Sequence, residues 1–364
     1  MNFLQLRGRM PALLDSGVSI ELISAPGRGK SEFVRQTVDV MTARDKEEWG
    51  YAELFLATQT PPDLIGYMFK GELQLDNGQR ISITDPTMPP WMVTTTGKPV
   101  WEYKRGLLHL EEFAQGQPDV KASAAELLLN RRLGKWRLPE GWSVIASSNR
   151  TSDRSGVTKA LDFVINRRLE IHISDDINSW ENWAWQAKVE PLFISFAASN
   201  PQVVFTDGVP DKQGPWCTPR SLVMLSRILE QMKDADDRIP TKEDAVELAA
   251  GMIGQAAAAS LFAHVRLGHE MPDFDEIIKQ PKKAKAPQKA DAAMLVTYNL
   301  AARVDDKTIS PCIEYMERLP KEFAVIFAKG ACNRLPTIVM SDPMQKWIAA
   351  NSSLMTALVD TNKK

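Results

Sequence analysis

The stretch from Ile23 to Phe33, "ISAPGRGKSEF", combines glycines, a lysine and a serine in the spacing of a phosphate-binding loop. Gly27 and Gly29 supply the backbone freedom that lets several N–H groups converge on phosphate oxygens. Lys30 and Ser31 follow at the start of a helix-like segment, where a lysine reaches the β- and γ-phosphates and a hydroxyl binds Mg²⁺. These residue types predict a nucleotide site.

The loop departs from the usual pattern at its first position, where Ser24 occupies the place of a glycine. Because serine is small and this position only opens the turn, we expect little harm from the change. The alternative, a glycine turn followed by an unrelated Lys-Ser pair, is disfavoured by the strand and helix that flank the loop. The residues predicted to contact ATP are Ser24, Ala25, Pro26, Gly27, Arg28, Gly29, Lys30, Ser31 and Glu32.

Two acidic residues follow the apolar run at 107–110, "LLHL". At the tip of a parallel strand, a first acid can hold the Mg²⁺ shell while a second polarises the attacking water. Glu111 and Glu112 fit these roles, although the first acid is usually Asp. The extra methylene of Glu111 predicts a slightly shifted Mg²⁺ ion or one held through water. Taken alone, the pair also fits a solvated strand end.

Three further positions carry polar groups suited to phosphate chemistry. Asn149 ends the strand-like run "WSVIASSN" and could orient water, because an amide both donates and accepts; a turn-forming asparagine is the alternative. Arg167 and Arg168 precede a strand in "NRRLEI", and Arg220 begins a helix in "CTPRSL". The forked donors of arginine suit a phosphoryl transition state, although an isolated arginine is usually a surface residue.

Alternating strand-like and helix-like segments in the first half of the chain must position these groups. This alternation predicts a parallel sheet covered by helices on both faces, with ligands at the carboxyl ends of the strands. The predicted fold class is α/β, a sheet of five parallel strands with flanking helices, and the phosphate loop after its first strand resembles that of the P-loop NTPases. The segments that indicate it are strands at 18–23, 51–58, 107–110, 142–149 and 169–174 and helices at 30–44 and 120–133.

The second half of the chain favours helices, at 177–189, 218–235 and 242–268. A run rich in Lys, Pro and Ala at 279–290 is typical of a solvated linker, with a nucleic-acid contact as the less favoured interpretation. The predicted organisation is a nucleotide-binding domain, a helical lid, a linker and a helical C-terminal region, at 1–175, 176–270, 271–290 and 291–364.

Composition narrows the class of protein further. The 364 residues carry 44 basic and 46 acidic side chains, so no overall field attracts nucleic acid or an anionic membrane. The three cysteines are too scattered for a zinc site or a disulfide framework, and this favours a reducing cytoplasm. No signal peptide or membrane-spanning run is expected. The histidines are equally scattered, and His172 in "LEIHIS" is interpreted as a structural strand residue.

In order, the motifs "APGRGKS", "LLHLEE", "SVIASSN", "INRR" and "TPRS" resemble those of the AAA+ ATPases, and among these the MoxR-like branch of bacteria and phages. The segments "TPPDLIGY" and "LLNRRLGKWRLPEGW" are also similar to MoxR-type sequences. The resemblance is specific over roughly residues 10 to 230 and only general after that.

This resemblance implies a role for each site residue. Lys30 and Ser31 are similar to the Walker A lysine and Mg²⁺ hydroxyl, and Glu111 and Glu112 to the Walker B pair. The sensor and finger roles would fall to Asn149 (sensor 1), Arg220 (sensor 2) and Arg167 (the trans-acting arginine finger), with Arg168 as the fallback. Such a finger reaches the ATP of a neighbouring subunit, which implies a ring, commonly a hexamer.

The leading interpretation is therefore a cytoplasmic ring, dependent on ATP and Mg²⁺, that remodels a client protein, with a von Willebrand factor A domain protein as a possible partner. Two alternatives stay open. The lysine run and ten tryptophans allow a nucleic-acid motor, although the near-neutral net charge of -2 disfavours it. Glu111 in place of Asp allows a nucleotide-switched scaffold with little hydrolysis.

Overall fold

The computed structural model describes residues 1–153, 166–211 and 213–352. The chain divides into two compact units. The first unit comprises residues 1–175 and 207–209, and the second comprises residues 176–206 and 210–364.

A five-stranded sheet forms the centre of the first unit, in the order β2-β5-β8-β1-β9 with every neighbouring pair parallel. The predicted α/β fold class is confirmed by this sheet and its flanking helices. The strands of the unit are β1 (Ile20–Ser24), β2 (Gly50–Phe55), β3 (Met68–Gln74), β4 (Arg80–Pro86), β5 (Gly106–Glu111), β6 (Arg132–Leu133), β7 (Trp136–Arg137), β8 (Trp142–Asn149) and β9 (Leu169–His172).

Helices cover both faces of this sheet because alternate strand residues are apolar on each side. One apolar core joins Leu107 and Ile145 to the first two helices, and a second joins Leu108 and Ala146 to the fourth helix. The helices of the first unit are α1 (Phe3–Asp15), α2 (Lys30–Asp45), α3 (Pro61–Ile65) and α4 (Pro118–Asn130). Short 3₁₀ turns lie at Leu56–Thr58, Pro90–Met92, Val100–Glu102, Phe113–Gln115 and Thr151–Asp153.

An antiparallel hairpin of β3 and β4 projects from the first unit and was not expected from the sequence. Its register places Phe69, Leu73 and Ile81 on one face, where all three side chains are exposed. Neither strand contains a buried residue, so the sequence lacks the alternation of buried and exposed side chains that identifies a core strand. The "DNG" turn at 76–78 is the signal that could have revealed the hairpin.

The second unit is entirely helical within its described residues, and one hydrophobic core extends from Trp180 to Trp347. Its helices are α5 (Ile177–Gln186), α6 (Pro191–Ser199), α7 (Pro201–Val204), α8 (Pro219–Glu230), α9 (Glu243–Ile253), α10 (Gln255–His269), α11 (Phe274–Lys279), α12 (Ala290–Arg303), α13 (Ile309–Met316), α14 (Lys321–Arg334) and α15 (Asp342–Ala350), with a 3₁₀ turn at Pro336–Met340.

The single helix expected at 242–268 is divided into α9 and α10 at Gly254. This glycine has a φ of 83°, and a Cβ there would lie 2.7 Å from the Pro215 carbonyl oxygen. The close approach of another backbone segment therefore decides the break, and helix propensity alone does not reveal it.

The predicted linker at 271–290, whose run at 279–290 is interpreted as solvated, contains buried residues. It contains α11, and its apolar residues Ile277 and Ala284 are buried between exposed lysines. Arg318 Nη1 donates to the carbonyl oxygens of Pro281 (2.6 Å) and Ala284 (2.8 Å). Two apolar side chains and these hydrogen bonds are enough to fix a run that composition describes as a linker.

The division of the second unit into a lid and a C-terminal region stays a prediction. Residues 353–364, at the end of the predicted C-terminal helical region, lie outside the described residues. Within the described parts of the chain, none of the helices combines the length and the apolarity needed to cross a lipid bilayer.

Candidate functional site

The loop between β1 and α2 turns through two left-handed glycines. Gly27 has a φ of 74° and Gly29 a φ of 94°, a region in which residues with a Cβ are strained. Gly29 is the N-cap of α2 and provides no side-chain hydrogen bond to the first turn. The first N–H groups of a helix have no intrahelical partner, and together with the helix dipole they favour an anion there. The loop therefore fits a phosphate group.

Lys30 lies at the head of this loop and is buried. Its Nζ donates to the Ser24 carbonyl oxygen (3.2 Å), Ser24 Oγ (3.1 Å), the Ala25 carbonyl oxygen (3.3 Å) and Asn149 Oδ1 (2.9 Å). An ammonium group held by carbonyl and hydroxyl oxygens keeps its positive charge close to the loop. The lysine is therefore already oriented towards the place where phosphate oxygens are expected.

Ser24, the departure from the usual loop pattern, is explained by its position in β1. It pairs with Asn149 in the sheet and is absent from the residues with positive φ. A Cβ therefore brings no backbone strain at this position, which does not require glycine. Its hydroxyl donates to the Ala25 carbonyl oxygen at 3.0 Å and also accepts from Lys30.

Arg28 is fixed in the loop by an ion pair with Asp175, 147 residues away in sequence. Its Nε and Nη2 donate to the two carboxylate oxygens at 2.7 and 2.9 Å. The arginine side chain is only 3% exposed, whereas that of Asp175 is 35% exposed. Bidentate pairs of this kind restrict orientation as well as distance. Because Arg28 stands between the two left-handed glycines, this pair fixes the corner of the loop.

The ends of β5 and β8 bring Glu112 and Asn149 together. Asn149 Nδ2 donates to Glu112 Oε2 at 3.1 Å, while its Oδ1 accepts from Lys30. Glu112 has a φ of 53° and a ψ of 41°, a left-handed conformation that is uncommon in residues other than glycine. Strained backbone of this kind is concentrated at functional sites. Three groups predicted separately from the sequence thus form one connected series of hydrogen bonds.

Glu111 ends β5 with its side chain 18% exposed. Its Oε1 is buried and accepts no hydrogen bond from the described residues, and His109 Nδ1 lies 3.4 Å from it. A buried carboxylate oxygen of this kind fits a cation or a water molecule bound to one. Ser31 is half-buried in the first turn of α2.

Mg²⁺ usually binds one or two protein oxygens and completes its shell with water and phosphate oxygens. Glu111 and Ser31 fit that requirement. In residues 1–153, 166–211 and 213–352, no group of three or more His, Cys, Asp or Glu side chains could hold a metal by itself.

The two adjacent arginines before β9 have different environments. The Arg168 side chain is only 4% exposed and forms ion pairs with Glu21 and Glu170. Glu21 is itself 2% exposed, so its carboxylate needs this counter-charge. Arg167 is exposed. An arginine that reaches another subunit must be exposed, and this favours Arg167 over Arg168.

Two other predicted site residues are exposed. Glu32 is exposed on α2, where it accepts a hydrogen bond of 2.8 Å from Gln36 Nε2. Arg220 is exposed in the first turn of α8, after the N-cap Thr218, and belongs to the second unit. Its sensor role stays a prediction.

His109 and Asp175 are parts of the site that the sequence analysis did not identify. His109 is two positions before Glu111 on β5, so the two side chains share a face of the sheet. The alternation of side chains along a strand could have revealed His109 from the sequence. No local sequence pattern identifies Asp175, because its partner Arg28 comes from a distant part of the chain.

No protein-family profile matches the chain, and no curated protein matches it in sequence. Similar folds occur among solved structures. A protein of Cytophaga hutchinsonii proposed to be an ATPase is 14% identical, with a TM-score of 0.32 over 70% of this chain and 85% of that one. NtrX of Brucella abortus in complex with ADP is 14% identical, with a TM-score of 0.38 over 96% and 67%. A point mutant of RuvB from Thermotoga maritima is 12% identical, with a TM-score of 0.35 over 86% and 86%. These scores are low, and the fold class rests on the sheet itself.

Proposed function

We propose that this chain is an ATP hydrolase of the AAA+ type that requires Mg²⁺. The observation that carries the proposal is the hydrogen-bonded series from Lys30 through Asn149 to Glu112. It joins the head of the phosphate loop to the tips of two neighbouring strands, which is where a γ-phosphate and an attacking water must meet.

Each residue of the site then has a defined task. The loop N–H groups and Lys30 bind and orient the phosphates, and Arg28 keeps the loop in its bound shape. When bound, Mg²⁺ would be held by Ser31 and Glu111 and would neutralise charge on the phosphate oxygens. Glu112 accepts the proton of the attacking water as a general base.

Asn149 controls the position of that base. Its amide accepts from Lys30 and donates to Glu112, so it sets the distance between the phosphate-binding cation and the carboxylate. A misplacement of about 1 Å in such a group can cost on the order of a hundredfold in rate. Asn149 is therefore assigned to positioning as well as to water orientation.

We extend the proposal to a MoxR-like ring in the cytoplasm that remodels a client protein, with a von Willebrand factor A domain protein as the candidate partner. Support comes from the motif order and from exposed Arg167, which is suited to reach the nucleotide of a neighbouring subunit. A hexamer is the expected assembly. The sensor role of Arg220 belongs to the same proposal.

The decisive experiment measures ATP turnover and nucleotide binding for wild type, Lys30→Ala and Glu112→Gln. We expect Lys30→Ala to lose nucleotide binding, and Glu112→Gln to keep binding while losing at least about a hundredfold in kcat. Matched controls are Lys104→Ala and Glu126→Gln, which alter exposed side chains away from the loop. They should behave as wild type.

The same measurements separate hydrolysis from a nucleotide-switched scaffold. A wild-type protein that binds ATP but shows no turnover at any Mg²⁺ or Mn²⁺ concentration would reject the hydrolase and favour the scaffold. Equal turnover in wild type and Glu112→Gln would also contradict the assigned base.

A further inference from the structure

Polar side chains interrupt the apolar face of the sheet that packs against α4. Ser148 lies on this face of β8, two positions after Ala146, which belongs to the apolar core shared with α4. Its hydroxyl donates to Oε1 of Glu21 on the neighbouring strand β1. Ser148 is 1% exposed and Glu21 is 2% exposed. Buried polar groups in an apolar face are costly, so this pair requires an explanation.

The carboxylate of Glu21 has buried positive charge beside it. Its second oxygen, Oε2, forms an ion pair with Arg168, whose side chain is 4% exposed. The buried ammonium group of Lys121 on α4 lies within electrostatic range of both groups. A carboxylate held in an ion pair offers only acceptor oxygens. The Ser148 hydroxyl must therefore direct its single hydrogen to Glu21.

With its hydrogen directed to Glu21, the Ser148 oxygen is left as an acceptor. The backbone N–H of Ala114 donates to it at 3.2 Å. Ala114 lies in the 3₁₀ turn Phe113–Gln115, which directly follows Glu112. The first N–H groups of a helical turn have no partner within the turn, so an acceptor on β8 fixes this turn from outside.

This turn sets the backbone of Glu112. Glu112 is its N-cap residue and has a φ of 53° and a ψ of 41°, and the Gln115 N–H donates to the Glu112 carbonyl oxygen at 3.0 Å. A residue with a Cβ remains in this left-handed region only where its surroundings hold it there. The hydrogen bond from Ala114 to Ser148 is such a contact, because it joins the turn to the strand that also carries Asn149.

We propose that Ser148 is a positioning residue for Glu112: it holds the backbone turn of this residue, while Asn149 holds its carboxylate. Glu21 fixes the direction of the Ser148 hydroxyl. The inference rests on the proposed hydrolysis of ATP, in which Glu112 is the base. A small displacement of a base lowers the rate, whereas nucleotide binding depends on the phosphate loop. Loss of the Ser148 hydroxyl should therefore affect kcat and leave nucleotide binding intact.

The test compares wild type with Ser148→Ala as full-length proteins, measuring steady-state ATP turnover and equilibrium binding of ADP. We expect kcat to fall by about 10- to 100-fold and the Kd for ADP to change by less than about threefold.

A double-mutant cycle with Glu112→Gln then identifies the residue through which Ser148 acts. Because the base is already lost in Glu112→Gln, adding Ser148→Ala should lower the residual turnover by less than about twofold. Single-turnover hydrolysis of ATP labelled at the γ-phosphate measures this residual rate. A general structural role would lower turnover by the same factor in both backgrounds.

A matched control comes from the second unit, where the buried Ser226 on α8 donates its hydroxyl hydrogen to Glu230. Ser226→Ala removes a similar buried hydrogen bond and should leave kcat and the Kd for ADP unchanged. If Ser148→Ala fails to fold, as judged by circular dichroism, Ser148→Cys replaces it. The cysteine sulfur is a weak acceptor, so kcat should fall in the same direction.

Three results would overturn the inference. The first is a folded Ser148→Ala, or Ser148→Cys in its place, whose kcat matches wild type. The second is a loss of ADP affinity as large as the loss of kcat. The third is an equal effect of the substitution in the wild-type and Glu112→Gln backgrounds. A wild type that binds ADP but does not hydrolyse ATP would instead contradict the proposed function, and the inference with it, so the wild-type assay distinguishes the two failures.

Discussion

Lys30 Nζ lies 2.9 Å from Asn149 Oδ1, which joins the head of the phosphate loop to the tip of β8. The two residues are 119 positions apart in sequence. Both are buried, and the same amide donates to Glu112. The amide therefore fixes the relative position of Lys30 and Glu112, the lysine and the base predicted for the site.

Asn149→Ala should lower kcat for ATP by about 10- to 100-fold, because Glu112 loses its hydrogen-bond donor and its orientation. Binding of nucleotide depends mainly on the loop, so its Kd should change by less than about threefold. Steady-state turnover and equilibrium nucleotide titration measure the two effects. The control is Asn77→Ala, in the exposed turn between β3 and β4. A large loss of nucleotide affinity with kcat preserved would contradict the positioning role assigned to Asn149.

Asp175→Asn should loosen the phosphate loop, because Arg28 loses its charged bidentate partner. The carboxylate is 35% exposed, so solvent screening limits the loss, and we expect KM for ATP to rise by about 10-fold with a smaller change in kcat. Reversing the pair, with Arg28→Asp combined with Asp175→Arg, should recover part of the affinity. An unchanged KM in Asp175→Asn would show that the loop does not depend on this pair.

Substitutions of the two neighbouring arginines should have different effects, one on the stability of the protein and the other on its turnover of ATP. Arg168→Ala removes the ion-pair partner of buried Glu21, which then keeps a hydroxyl donor, Ser148, and a more distant charge, Lys121, and should lower the free energy of unfolding by about 3 kcal/mol. Arg167→Ala alters an exposed side chain, so stability should be unchanged while turnover falls by about a thousandfold. Chemical denaturation and ATPase assays measure these outcomes.

Mixing inactive variants tests whether Arg167 acts between subunits. Subunits with Arg167→Ala retain their phosphate loop, and subunits with Lys30→Ala retain their arginine. If the arginine acts in trans, a mixture should regain turnover that neither variant shows alone. A mixture with no activity, despite co-assembly measured by light scattering, would contradict this role.

Acid should destabilise the second unit through His264. Burial lowers the pKa of this histidine to about 4, against about 6.5 when unfolded. The unfolded chain therefore binds more protons between these values, and the stability present above about pH 6.5 is lost as pH falls towards 4, with a maximum slope of about 1.4 kcal/mol per pH unit. Urea unfolding followed by tryptophan fluorescence measures the slope. His264→Leu should reduce it, and an unchanged slope would assign the effect to other groups.

The sequence by itself determined the strands of the central sheet and the order of the motifs. The loop glycines, the apolar runs of the five strands and the acids at their tips are local features, because backbone freedom and hydrophobic alternation are properties of neighbouring residues. Parallel strands bring their carboxyl ends to one edge, so even the meeting of Lys30, Glu112 and Asn149 was predictable in outline.

Only the tertiary structure decided which side chains are buried and which distant groups meet. Asp175 opposite Arg28, the burial of the Arg168 side chain and the contact between His109 and Glu111 depend on strand order and on the packing of helices against the sheet. The exposed β3–β4 hairpin and the break at Gly254 depend on it too. Burial and long-range pairing are properties of the whole packed chain, and no short stretch of sequence encodes them.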